Sequence, residues 1–243
     1  MVTGAGQGLG RAIAIALAHA GAHVAVTHRR ADGAMAVAEE ITASGGDAIG
    51  LELDVTEIAR YQPVLDVAAE WGSGLDILVN CAGGMHPFTP FLEVDPATFD
   101  ATLARNFKSA FFLSQAFAGM LVRAGRPGRI VNIASTAATK PDMQLAAYNA
   151  SKAALVQFAR SIAVELAPHA ILVNTVAPGP VRTDNTRWIY DNPKWQAVLK
   201  DKVPLGGPAD AEDVAAAVLF LCGPGARHMT GSTVTVDGGF TCL

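Results

Sequence analysis

Six apolar runs of strand length alternate along the chain with six longer stretches of helical period, and this rhythm limits the fold more than any other feature. Ala22 to Thr27, Ala48 to Leu53, Leu75 to Asn80, Arg129 to Ala134, Ile171 to Val176 and Thr233 to Val236 read as strands. Leu9 to Ala20, Gly33 to Ser44, Ile58 to Trp71, Thr98 to Arg123, Ala146 to Leu166 and Ala211 to Leu221 read as helices. Gly21 and the pair Gly45-Gly46 fall where helices should stop, because glycine tolerates the left-handed cap. The strands are near-continuous apolar runs such as Ile77-Leu78-Val79, as expected where helices cover both faces of a sheet. Strand and helix in alternation predict an α/β fold: a doubly wound parallel sheet of about seven strands in a three-layer sandwich. No repeat, low-complexity tract or linker divides residues 1–243, so a single domain is expected. Two places break the rhythm. Met1-Val2-Thr3 is only a stub beside the roughly five residues of a typical strand. It predicts either a chain lacking its true beginning or an unusually short central strand. Residues 178–210 are a long excursion carrying Trp188, Tyr190 and Trp195, expected to be a substrate-binding loop.

Composition removes several classes of function. With 243 residues, 51% hydrophobic and 16% charged, the chain is too apolar to be disordered. A net charge of -4 and the lack of any Lys/Arg run argue against a nucleic-acid partner. No stretch approaches the roughly 18 apolar residues of a membrane span. No basic start leads into an apolar core, so no secretory signal is expected. Cys81, Cys222 and Cys242 are odd in number and lack paired spacing, which predicts neither a disulfide framework nor a zinc site but a reducing, cytoplasmic setting. The six histidines lie without ligand spacing, so no metal is expected.

Thr3-Gly4-Ala5-Gly6-Gln7-Gly8-Leu9-Gly10 sits between the stub and the first helix. Such a turn brings bare backbone and a helix N-terminus against a pyrophosphate. The spacing is not G-x-G-x-x-G but T-G-x-x-x-G-x-G, which resembles the short-chain dehydrogenase/reductase family and its Rossmann-like fold. Further motifs follow in that family's order over nearly the whole chain. Asp54-Val55 resembles the pair that meets the adenine. Asn80-Cys81-Ala82-Gly83 resembles the family's N-N-A-G, with cysteine in place of the second asparagine. Pro178-Gly179-Pro180-Val181-Arg182-Thr183 resembles the segment beside the nicotinamide, and Val236-Asp237-Gly238-Gly239 matches the family's C-terminal strand and turn. The resemblance implies cofactor contacts from Gly4, Gln7, Gly8, Leu9, Gly10, His28, Arg29, Asp54, Val55, Asn80, Ala82, Gly83, Pro178, Gly179, Val181 and Thr183. Cys81 is expected to be a neutral packing residue.

Tyr148 and Lys152 are four apart in a predicted helix and so share a face. A phenol with pKa about 10 is a poor acid–base group near neutrality, and a nearby ammonium is expected to lower it. A tyrosine–lysine pair on a helix face is unspecific alone; its place among the other motifs gives it meaning. Ser135 ends the strand Ile130 to Ile133, at the edge where parallel sheets gather their ligands, and its hydroxyl can stabilise charge on a carbonyl oxygen. The resemblance implies that Tyr148 is the acid and that Lys152 holds Tyr148 and the nicotinamide ribose. It also implies that Asn106 holds a water for proton relay.

These residues predict an NADP(H)-dependent ketoreductase or alcohol dehydrogenase acting on a small carbonyl or alcohol substrate. The alternatives are an NAD-dependent sugar or polyol dehydrogenase of the same family and a non-catalytic nucleotide-binding regulator. An epimerase or dehydratase is disfavoured for want of a sugar-nucleotide domain. NADP is expected over NAD because His28-Arg29-Arg30 stands where an acidic residue would accept from the adenosine ribose. Arg29 is the expected contact to the 2′-phosphate, with Arg30 in solvent; Gln7 stands where many NADP-preferring relatives are basic. The substrate pocket is expected from Met85, His86, Phe88, Thr136, Gln144, Trp188, Tyr190 and Trp195. Phe107, Phe111, Phe112 and Phe117, with Leu155, Phe158 and Ile162, make two helices apolar on more than one face and predict a homotetramer or homodimer.

Overall fold

A computed structural model describes residues 1–183 and 186–243. The strands are β1 (His23–His28), β2 (Asp47–Glu52), β3 (Ile77–Asn80), β4 (Gly128–Ile133), β5 (Ile171–Pro178), β6 (Val181–Arg182), β7 (Ala209–Asp210) and β8 (Thr233–Val236). The helices are α1 (Gly8–His19), α2 (Ala31–Ala43), α3 (Tyr61–Trp71), α4 (Pro96–Leu103), α5 (Ser109–Ala124), α6 (Ala146–Leu166), α7 (Arg187–Tyr190), α8 (Pro193–Lys202) and α9 (Ala211–Cys222). β1 pairs with β2, and β3, β4, β5 and β8 pair in that order, all in parallel.

The Met1-Val2-Thr3 stub joins the two groups. Val2 bridges to both Val26 and Val79. Its amide donates to the Ala25 carbonyl and its carbonyl accepts from Thr27, while Thr3 N–H donates to the Val79 carbonyl. The stub therefore occupies the centre of a continuous parallel sheet ordered β2, β1, stub, β3, β4, β5, β8.

Strand periodicity explains why the apolar runs do not alternate with polar residues. Val24 and Val26 of β1, Val79 of β3 and Val131 of β4 face a core with Ile13 and Leu17 of α1, Val37 and Ile41 of α2, and Val214 and Val218 of α9. Their neighbours Ala25, Leu78 and Ile130 face the opposite core with Leu65 of α3, Phe117 and Leu121 of α5, and Ala163 of α6. The middle positions of β1, β3, β4 and β5 are therefore buried on one face or the other, while β2 and β8 at the sheet edges are only partly covered.

One expected element differs in form. The stretch read as a single helix from Thr98 to Arg123 is α4, a π-turn over Ala104–Lys108, then α5. A π-turn widens the helix by one residue per turn and occurs often at functional sites. Here it carries Asn106, which is buried.

Candidate active site

The C-terminal edge of the parallel sheet opens on a cavity of about 880 Å³. Its floor at one end is the glycine turn. Gly4 and Gly8 have φ of +64° and +53°, a region costly for any residue with a Cβ. At Gly10 a Cβ would lie 2.5 Å from the Gly4 carbonyl oxygen, so the turn closes only around glycine. Thr3 ties this turn to the next strand: its hydroxyl accepts from the amides of Cys81 and Ala82. The Gln7 side chain makes no capping hydrogen bond to α1, and the first turn of that helix holds no acid. Gly8, Leu9 and Gly10 line the cavity, so the N-terminal amides and dipole of the helix face it, the arrangement that suits a pyrophosphate.

Of the residues expected at the cofactor, Gly4, Gln7, Gly8, Leu9, Gly10, His28, Arg29, Asp54, Val55, Ala82, Gly83, Pro178, Gly179, Val181 and Thr183 all line this cavity. Asn80 does not. It lies beneath the surface, its amide donating to Ser114 Oγ and Asn132 Oδ1, and so ties β3 to α5 and β4. Asp54 accepts from the Thr56 amide at 2.9 Å and from its hydroxyl at 2.7 Å, bonds that hold the carboxyl below its ordinary pKa. Arg29 lines the cavity, and among the described residues no carboxylate lies within ion-pair distance of it. Arg30 also lines the cavity, but its Nε lies 3.3 Å from Asp32 in an exposed ion pair. Burial pushes the Cys81 thiol up to about 12, so the sulfur is neutral and packs as a small apolar group.

The other end of the cavity brings together Ser135, Tyr148 and Lys152. Ser135 follows β4 and caps a short turn, its oxygen accepting from Ala137 N–H at 3.1 Å. The Ser135 side chain also lies near enough to the Tyr148 phenol to favour its ionised form. Tyr148 stands in the first turn of α6. Lys152, one turn on, is buried; its Nζ lies 5.8 Å from the Tyr148 ring centre and donates to the Ile133 carbonyl at 2.8 Å.

Electrostatics here departs from the sequence-based expectation of a lowered phenol. Burial raises the Tyr148 pKa, and Asp142 adds to that, with only Ser135 acting the other way. Burial also lowers Lys152 to about 8. A side chain out of water favours its neutral form, and at this separation the ammonium does not reverse that for the phenol.

Asn106 lies behind the wall of the cavity. Its Oδ1 accepts from Gly84 N–H at 2.9 Å, and its Nδ2 donates to the Gly84 carbonyl and to Ser151 Oγ, each at 3.0 Å. The amide thereby staples the loop after β3 to α6. A Cβ on Gly83 would meet Asn106 Oδ1 at 3.1 Å and Lys152 Nζ at 3.3 Å, so this glycine lets the two side chains approach one another.

The expected substrate wall is realised in part. Met85, Thr136 and Tyr190 line the cavity. His86 is buried against Pro87, while Phe88, Gln144, Trp188 and Trp195 lie outside the cavity and exposed. Trp188 and Tyr190 are two apart on α7, which places them on opposite sides. The loop expected over 178–210 includes 184 and 185, which lie outside the described residues. Sequence reading missed Thr56, Arg105, Asp142 and Phe240, all at the cavity. Phe240 arrives from the C-terminal turn because Lys140 donates to its carbonyl at 2.7 Å and sits over its ring. No spacing rule links these positions to the motifs.

Among the described residues, no three His, Cys, Asp or Glu side chains gather as metal ligands do, and no helix is long and apolar enough to cross a membrane.

The chain is similar to known proteins over nearly its whole length. A family model described as enoyl-(acyl carrier protein) reductase matches residues 4–241. An L-rhamnose 1-dehydrogenase (NAD(P)(+)) of Azotobacter vinelandii is 34% identical over 98% of this chain and 94% of its own length. The structure of a 7α-hydroxysteroid dehydrogenase complexed with NADH and 7-oxo glycochenodeoxycholic acid matches with a TM-score of 0.92 and 36% identity, covering 98% of this chain and 92% of that one. That of a candidate 2-deoxy-D-gluconate 3-dehydrogenase from Agrobacterium tumefaciens, with bound NADP, matches with a TM-score of 0.92 and 34% identity, covering 100% and 95%.

Proposed function

The chain belongs to the short-chain dehydrogenase/reductase family of NAD(P)-dependent oxidoreductases acting on carbonyl and alcohol groups, and on that premise we propose that it is an NADP(H)-dependent reductase of a small ketone, with Tyr148 as the acid. The observation that carries this reading is the meeting of Ser135, Tyr148 and Lys152 in the cavity floored by the N-terminal turn of α1.

The glycine turn suits a dinucleotide because its close backbone approach leaves no room for side chains, and Gly4 to Gly10, Asp54, Val55 and Thr183 would hold one. When bound, such a cofactor supplies or accepts the hydride. Ser135 donates to the carbonyl oxygen and stabilises the charge that grows there. A Tyr148 phenol raised above its ordinary pKa is protonated at neutral pH and ready to give that proton to the same oxygen. Lys152 fixes this corner through Ile133 and presents its ammonium to the ribose side, while Asn106 behind the wall holds the Gly84 loop against α6.

Two arginines where an acid would select NAD support NADP. Arg29 faces the cavity and can fork onto a 2′-phosphate; Arg30 is already engaged by Asp32. A homotetramer or homodimer is the proposed assembly. Phe107, Phe111 and Phe158 interlock, with Phe111 and Phe158 ring centres 4.8 Å apart, yet Phe107 and Phe111 keep part of their surface open. Phe117, by contrast, is wholly in the core. Three cysteines without disulfide partners suit a reducing, cytoplasmic location.

Oxidation of NADPH by the purified protein, followed over a panel of ketones, ketoesters and aldoses, tests the reading. Turnover of at least one ketone supports it. Tight NADPH binding with no turnover across the panel would instead make the chain a nucleotide-binding regulator.

A further inference from the structure

The substrate end of the cavity carries one acidic side chain among the described residues, Asp142; the other acid on the cavity wall, Asp54, belongs to the opposite end. Asp142 is held in place by its backbone. Its carbonyl accepts from Asn149 Nδ2 at 2.8 Å, beside Tyr148 in the first turn of α6. Two residues on, Gln144 takes a left-handed φ of 62° and its carbonyl accepts from Thr89 N–H at 2.9 Å. The segment is thus pinned between α6 and the loop after β3. The Asp142 carboxylate forms no ion pair or hydrogen bond of its own among the described residues; Lys202 of α8 is the cation whose field reaches it. Its charge in turn is felt by both phenols of this end, Tyr148 and Tyr190, each of which it raises. The same cavity is lined by Met85, Tyr190 and Phe240, which offer largely apolar walls, and by Thr136, a neutral hydroxyl.

We propose that Asp142 determines substrate class, accepting hydrogen bonds from hydroxyls beside the reacting carbonyl and turning away anionic substrates, so that the enzyme favours neutral polyhydroxy ketones over oxo acids. The inference rests on the ketoreductase reading above. A carboxylate has four lone-pair sites and can take two vicinal hydroxyls at once, whereas an oxo acid brought to Tyr148 sets its own negative charge against Asp142. Hydrogen bonds to a charged group are the stronger kind, and one lost with a neutral replacement is worth about tenfold or more in selectivity.

The test compares three substrates of equal chain length with NADPH: a ketose, the corresponding ketone without hydroxyls, and the corresponding oxo acid. In Asp142→Asn the ratio of kcat/KM for ketose over ketone should fall about tenfold or more, chiefly through a higher KM for the ketose. Asp142→Lys should further invert the preference between ketose and oxo acid. Unchanged folding and NADPH affinity in both variants, checked by circular dichroism and fluorescence titration, secure the comparison. If all three substrates lose efficiency equally, Asp142 acts through Tyr148 and not on substrate, and the proposal is overturned. Unchanged ratios overturn it as well. Should the unmodified enzyme turn over none of the three while binding NADPH, it is the ketoreductase reading that fails, and the Asp142 assignment with it.

Discussion

The two ends of one cavity are built differently. At the cofactor end the wall combines the backbone of the glycine turn with side chains such as Arg29 and Asp54 just beyond β1 and β2. Thr3 and Ala5 are buried, Gly10 packs against the Gly4 carbonyl, and Asp54 is held by two bonds from Thr56. At the substrate end the wall is side chains from separate segments: the loop after β3, the turn after β4, the turn before α6, α6 itself, α7 and the C-terminal turn. Large apolar groups around them stand open to solvent, Met143 at 85% exposed and Trp188 at 67%. A rigid end fits a ligand shared by many enzymes, and a changeable end fits one that differs among them.

The comparison breaks first at Tyr148, where the two ends meet. Tyr148→Phe removes only the phenol oxygen, so turnover should fall by roughly 10²- to 10⁴-fold while NADPH affinity, read by fluorescence titration, stays within about twofold. Loss of binding instead would mean that Tyr148 serves the cofactor end.

Arg29→Asp should come next. Placing a carboxylate beside a 2′-phosphate should lower kcat/KM with NADPH by about 10- to 100-fold and leave NADH much less affected. Parallel losses with both cofactors would remove Arg29 from phosphate recognition.

Lys152 ties both ends and is the one charged residue here that is fully buried. Burial lowers its amine from the ordinary 10.5 to about 8. Between about pH 8 and 10.5 the unfolded chain holds a proton that the folded chain has lost. Stability of the cofactor-free protein therefore rises with pH through this window, and the cost of burying the ammonium is fully present below it. Lys152→Met should remove a cost on the order of 1–3 kcal/mol at neutral pH, raising Tm relative to the unmodified protein, with the difference shrinking towards pH 10. The same variant should lose turnover. A Tm difference independent of pH would show that Lys152 does not titrate in this way. The smallest effect belongs to Arg30→Ala, which should change either cofactor's kcat/KM by no more than about twofold because Arg30 sits in an exposed ion pair with Asp32.

The same division governs what could be read from the sequence. α6 begins and ends where its periodicity places it, at Ala146 and Leu166, and β8 spans Thr233–Val236 as read. The glycine spacing announces the cofactor end because each glycine answers a local steric demand of the backbone. The π-turn at Asn106 was not legible, since Ala104 to Lys108 carry no residue that forbids an ordinary helix. Asp142 and Phe240 were not legible either. They reach the site through contacts of long sequence range, such as Lys140 to Phe240, that no periodicity encodes. Trp188 and Trp195 misled because aromatic character suggested a pocket wall, whereas Ile189 and Leu199 are the buried residues of their helices.

The central claim, that the rigid end is shaped for NADP and the chemistry beside it is carbonyl reduction, is tested most directly by kcat/KM of the unmodified protein with NADPH and with NADH against one ketone that it reduces. Higher efficiency with NADPH is expected, set by Arg29 at the cavity wall. Equal or higher efficiency with NADH would contradict it.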